Sequence, residues 1–134
     1  MKVVIDTNVI VSALMNPNGV PARILALLLN GRVKVQYDNR IISEYIAVLS
    51  RKEFRFDPEI IRNLIGYFRS DEEYVNADIA QTQFADETDK KFYEVHKSGG
   101  AQYLITGNTR HFPKEESIVT PREFVETAIS TTNA

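Results

Sequence analysis

The stretch Met1-Lys2-Val3-Val4-Ile5-Asp6-Thr7-Asn8-Val9-Ile10-Val11-Ser12-Ala13-Leu14 decides the fold. Val3 to Ile5 are β-branched and apolar without interruption, a run too short for an amphipathic helix, and they predict a strand buried on both faces. The run stops abruptly at a carboxylate, which puts Asp6 at the carboxyl end of that strand. Ligands of parallel α/β sheets collect at this edge, so an acid there is placed to hold a metal or a phosphate-bearing substrate.

Working outward, apolar and polar segments alternate in a βα rhythm. Asn8 to Leu14 predicts a helical turn or two, broken by Pro17-Asn18-Gly19. Pro21 suits the first turn of a helix over Ala22 to Asn30, with Gly31 as its stop. Val33 to Tyr37 alternates like a strand, and Asp38 or Asn39 caps a helix from Arg40 to about Lys52. Asp57-Pro58 opens another helix reaching about Arg69, and a short strand is expected near Tyr74-Val75. A helix from Asp86 to Lys97 ends at Gly99-Gly100. Gln102 to Thr106 reads as a buried strand, Ile118 to Thr120 as an edge strand, and Pro121 starts a last helix to about Ile129. Ser130 to Ala134 is expected to be a disordered tail. This alternation predicts an α/β fold of Rossmann-like type, a three-layer parallel sheet with helices on both faces.

Composition narrows the class further. At 134 residues and 43% hydrophobic, the chain can bury roughly two-thirds of its unfolded surface, which predicts one domain over residues 1–129. The absence of cysteine excludes a disulfide framework, a thiolate metal site and a cysteine nucleophile, and it fits a cytoplasmic setting. Met1-Lys2 leads straight into a core strand, and no apolar run approaches the ~18 residues of a membrane span, so no signal peptide and no membrane partner are expected. A net charge of -2 leaves nucleic-acid contact to a local basic patch.

The chemistry candidates are therefore acids. Asp6 would also serve as the cap of the turn that follows it. Glu44 shares a helix face with Ile41, Ala47 and Val48, near the seam of Ile42, Tyr45 and Leu49. Asp86 and Asp89 open their helix, where acids are favoured by the helix dipole in any case, yet Asp89 precedes Phe92 and Tyr93 at i+3 and i+4 and so points inward, away from Lys90 and Lys91. Coarse topology brings Asp6, Asp86 and Asp89 to one sheet edge, within reach of Glu44 from the first turns of its helix. Carboxylates so close repel one another unless a divalent cation compensates, and oxygen-only ligands favour Mg²⁺ or Mn²⁺.

Four motifs, taken together, resemble the PIN-domain ribonucleases: Ile5-Asp6-Thr7-Asn8-Val9 with Ser12-Ala13-Leu14, then Ile42-Ser43-Glu44-Tyr45 with Val48-Leu49, then Asp86-Glu87-Thr88-Asp89, then Tyr103-Leu104-Ile105-Thr106-Gly107-Asn108. The resemblance spans Met1 to about Val125. The loop Asn16 to Pro21 before an Ala-Leu-rich helix is similar to the branch that supplies toxins of toxin-antitoxin systems. This resemblance implies a Mg²⁺- or Mn²⁺-dependent endonuclease acting on single-stranded RNA, with Asp6, Glu44 and Asp89 as catalytic ligands and Asp86 and Asn108 as further metal neighbours. The ions would activate a water for in-line attack on a phosphodiester, with no nucleophilic side chain required. Asn108 departs from the family pattern, which has an aspartate there; an amide offers one neutral oxygen in place of a charged pair. Thr7, Asn8, Thr106 and Arg110 are candidate substrate contacts, with Arg40, Lys90 and His111 as further cationic groups. An antitoxin protein and a second copy of the chain are the implied partners, and the apolar run Ile24 to Leu29 is a candidate for part of such an interface.

Two other readings compete. One is a PIN-like domain that binds RNA or protein without cutting. The other is a haloacid-dehalogenase-type phosphatase opening at Asp6-Thr7-Asn8, although Asn8 cannot donate the proton that the second acid of that motif supplies. His96 and His111 are too far apart in sequence to read as a metal pair.

Overall fold

The fold is a four-stranded parallel sheet flanked by helices, seen here in a computed structural model that describes residues 1–70 and 72–129. The tail expected at Ser130 to Ala134 lies outside the described residues. The strands are β1 (Lys2–Ile5), β2 (Lys34–Val35), β3 (Tyr103–Ile105) and β4 (Ile118–Val119), in the order β2-β1-β3-β4. The two longest strands hold the centre: Val3, Val4, Leu104 and Ile105 are completely buried, which requires helices over both faces of the sheet.

Those helices are α1 (Thr7–Met15), α2 (Val20–Leu29), α3 (Asn39–Leu49), α4 (Pro58–Ser70), α5 (Lys90–Gly99) and α6 (Pro121–Phe124). Two of them begin on clear local caps. Asp38 caps α3 by accepting from the Ile41 N–H at 3.0 Å, and Thr120 and Glu123 close a reciprocal capping box over the start of α6. Gly100 ends α5 in the left-handed region at φ 66°, the conformation that glycine adopts without penalty. Tyr45, Phe68, Phe92 and Phe124 are the largest fully buried side chains, and Tyr45 meets Phe68 edge to face across α3 and α4. Along α2, Ile24 and Leu28 are buried while Leu29 stays 55% exposed, so core packing consumes only part of that apolar run.

The element boundaries differ from expectation in four places. The strand expected over Val33 to Tyr37 keeps only Lys34–Val35, because after Gln36 the main chain leaves β1 and exchanges hydrogen bonds with Glu73 and Val75 instead. The strand expected near Tyr74 is accordingly a single bridge to Tyr37. α3 stops at Leu49, and Arg51, in an extended conformation, separates it from a 3-10 turn over Lys52–Phe54. The helix expected from Asp86 begins at Lys90, preceded by a 3-10 turn, Glu87–Asp89, whose cap is Asp86.

Candidate active site

The register of the two central strands builds the site. Ile5 pairs with Ile105, so the next residues, Asp6 and Thr106, leave the sheet side by side. The Asp6 N–H donates to the Ile105 carbonyl at 2.9 Å and the Thr106 hydroxyl donates to the Asp6 carboxylate at 2.8 Å. The chain turns from β1 leftwards to β2, whereas β3 lies on its right; Asp6 thus sits at the switch point of the sheet, where crevices open in such folds. Asp6 is only 6% exposed. Burial is the main cause that pushes its carboxyl up to about 6, the Thr106 hydroxyl opposes this, and the charges of Asp89 and Glu44 push further in the same direction.

Glu44 reaches this edge from the second turn of α3. One of its oxygens accepts the Thr7 hydroxyl, and the other pairs with the Lys91 ammonium at 2.7 Å. The neighbouring Tyr45 is fully buried and donates its hydroxyl to the Ile5 carbonyl, which pins α3 to the end of β1 one residue before Asp6. Asp89 arrives from the 3-10 turn before α5. Burial raises its carboxyl first, then the Asp86 and Glu44 charges, against the neighbouring Lys91 and His111 side chains. His111 Nδ1 lies 3.4 Å from Asp89, an ion pair when the imidazole is protonated. Asp86 stands outside this group, fully exposed, with one oxygen accepting both the N–H and the hydroxyl of Thr88; those bonds hold its pKa below the usual range.

The expected substrate-side residues are placed unevenly. Thr7 and Thr106 are buried, and their hydroxyls are committed to Glu44 and Asp6. The Asn8 side chain accepts from the Gly107 N–H at 3.4 Å, bridging α1 to the end of β3. Asn108 is exposed and caps a 3-10 turn, Thr109–His111; its N–H donates to the Thr106 hydroxyl at 3.1 Å, so it stands two hydrogen bonds from Asp6. Arg110 is exposed on the same turn, beside a groove of about 540 Å³ lined also by Lys114. Arg40 is drawn off to Asp38 and Glu94, each at 2.7 Å. His96 is a buried core residue bonded to Ser117, apart from His111. Lys91 corrects the expectation: it is turned into the site, not onto a solvated face, because α5 is enclosed on nearly every side, with Phe92 to His96 all buried.

The donor set suits a hard divalent cation, since it is made of carboxylate oxygens and includes a buried one whose charge is poorly compensated by protein groups. Among the described residues, however, no three acidic or histidine side chains converge on one point. Glu44 has both oxygens already engaged, by the Thr7 hydroxyl and the Lys91 ammonium.

The model of the PIN domain family matches residues 2–110, and the chain belongs to that family. It is also similar to the uncharacterized protein MJ1680 of Methanocaldococcus jannaschii, at 32% identity over 94% of this chain and 90% of the relative. No solved structure matches the chain. The PIN domain is a nuclease fold whose members are generally metal-dependent ribonucleases, and membership leaves no place for the dehalogenase-type reading. No helix among the described residues is long and apolar enough to cross a membrane.

Proposed function

We propose that this chain is a metal-dependent endoribonuclease that cuts single-stranded RNA and serves as the toxin of a toxin-antitoxin pair. The observation that carries the nuclease reading is the Asp6 carboxylate at the switch point of the sheet, its pKa raised first by burial and then by the charges of Asp89 and Glu44. Asp6, Glu44 and Asp89 would hold Mg²⁺ or Mn²⁺, with Asp86 and Asn108 at the rim. Bound there, the ion supplies Lewis-acid charge to a phosphodiester and activates the attacking water. Thr106 and Thr7 orient Asp6 and Glu44, Arg110 and Lys90 offer phosphate contacts, and His111 sits beside Asp89. The toxin role, a homodimer and an antitoxin partner rest on the resemblance of the Asn16 to Pro21 loop and following helix, with Leu29, Ile46 and Ile60 supplying exposed apolar surface.

A second reading, a PIN domain that binds RNA without cutting, is favoured by the missing third ligand and by Asn108 in place of an aspartate. One experiment separates the two. Purified protein is incubated with a labelled single-stranded RNA in Mn²⁺, in Mg²⁺ and in EDTA. Cleavage with either ion and none in EDTA supports the nuclease, whereas retention of intact RNA under all three conditions supports the binding module.

A further inference from the structure

Lys91 is the cation nearest the acidic centre, and its placement is specific. Its side chain is only 12% exposed, its ammonium pairs with Glu44 at 2.7 Å and donates to the Thr88 carbonyl, and it lies 5.0 Å from the Phe92 ring centroid. It also faces the charges of Asp86 and Asp89. Glu44 and Lys91 form half of a crossed pair between helices: on α3, Arg40 and Glu44 stand at i and i+4, and on α5, Lys91 and Glu94 stand at i and i+3, so that Arg40 meets Glu94 as Glu44 meets Lys91. A half-buried ammonium with two oxygen partners fills the electrostatic role a metal ion would otherwise fill. One carboxylate cannot give the same oxygen to both at full strength.

We propose that Lys91 is a resident counter-cation of the acidic centre, which holds Glu44 in the metal-free protein and must yield it before a divalent ion gains its third carboxylate. Metal binding is then a competition built into the fold: the lysine stabilises the crowded acids when no ion is present and lowers the affinity of the ion that replaces it. The inference rests on the metal-dependent reading above and deepens it. It also accounts for the failure of three ligands to converge among the described residues.

Calorimetric titration of the purified protein with Mn²⁺ tests it, without any activity assay. Lys91→Met should tighten Mn²⁺ binding at least tenfold, while in EDTA its melting temperature falls below the parent's because the acids lose their counter-charge. Lys91→Gln, which keeps a donor for the Thr88 carbonyl, is the second variant should Lys91→Met not fold, and the same gain is expected. Lys91→Arg, with its charge kept, should bind within about threefold of the parent. Lys90→Met controls for the general field, because removing a positive charge one residue away should also change affinity by less than about threefold. If Lys91→Met and Lys91→Gln bind Mn²⁺ as the parent does, or if Lys90→Met gains as much as they do, the inference is wrong although the metal-dependent reading stands. If neither parent nor variants bind Mn²⁺, both fall.

Discussion

At the residue scale, the least comfortable group is Asp6. Its ordinary carboxyl value is 3.8 and the folded chain raises it to about 6, chiefly by burial. A folded pKa above the unfolded one means that the folded state binds the proton more tightly, so stability falls as pH rises through this window. The difference of about two units corresponds to at most about 3 kcal/mol lost between pH 4 and pH 7. Asp6→Asn removes the titration while its side-chain oxygen still accepts from the Thr106 hydroxyl. In EDTA the variant should therefore match the parent near pH 4 and be the more stable of the two at pH 7, as thermal melts across that range will show. The same variant should lose metal-dependent cleavage by at least ~100-fold, since removing a neighbour of a ligand alone typically costs ~10–100-fold. Retained activity removes Asp6 from the ligand set.

At the scale of elements, the site depends on how α3 is tied to the sheet. Glu44 has its position from the phase of α3, and that phase is locked by Tyr45, whose hydroxyl satisfies the Ile5 carbonyl at the end of β1. Tyr45→Phe keeps the ring packed against Phe68 and leaves the carbonyl unsatisfied in a fully buried place. The cost should be about 1–3 kcal/mol, a fall of roughly 3–5 °C in melting temperature per kcal/mol for a chain of this size. Differential scanning calorimetry checks it; an unchanged melting temperature would show that water replaces the hydroxyl. The elements also explain what was legible. α4 and α6 announce their starts through Asp57-Pro58 and Thr120-Pro121, because caps are local chemistry. The inward turn of Lys91 is not legible because α5 is enclosed on nearly every side, polar Glu94 and His96 included, whereas a lysine beside a second lysine reads as a solvated face. The one available signal was the complementary charge spacing of Arg40 and Glu44 with Lys91 and Glu94.

At the scale of the whole molecule, a ligand that binds only the folded chain stabilises all of it. The acids come from β1, α3 and the turn before α5, so no unfolded chain presents them together. Mn²⁺ at 100 times its dissociation constant should therefore add about 2.7 kcal/mol of stability. The rise in melting temperature should be reversed by EDTA and absent from Asp6→Asn. A chain whose melting temperature is indifferent to Mn²⁺ and Mg²⁺ has no such site.

What the sequence determined by itself was most of the helices and strands and which acids stand near their ends, because apolar runs, caps and the abrupt polar stop after Ile5 act over a few residues at most. It also pointed to the parallel α/β class, since alternating strands and helices leave few ways to bury both. The strand order, the Ile5–Ile105 register and therefore the meeting of Asp6 with Thr106 were decided only in the tertiary structure. The roles of Thr7 and Thr106 as positioning groups, the exposure of Asp86 and the pairing of Lys91 with Glu44 belong to that level too. The three pairings join residues 37 to 100 positions apart, and the distance between side chains that far along a chain is set by packing, which no local pattern encodes.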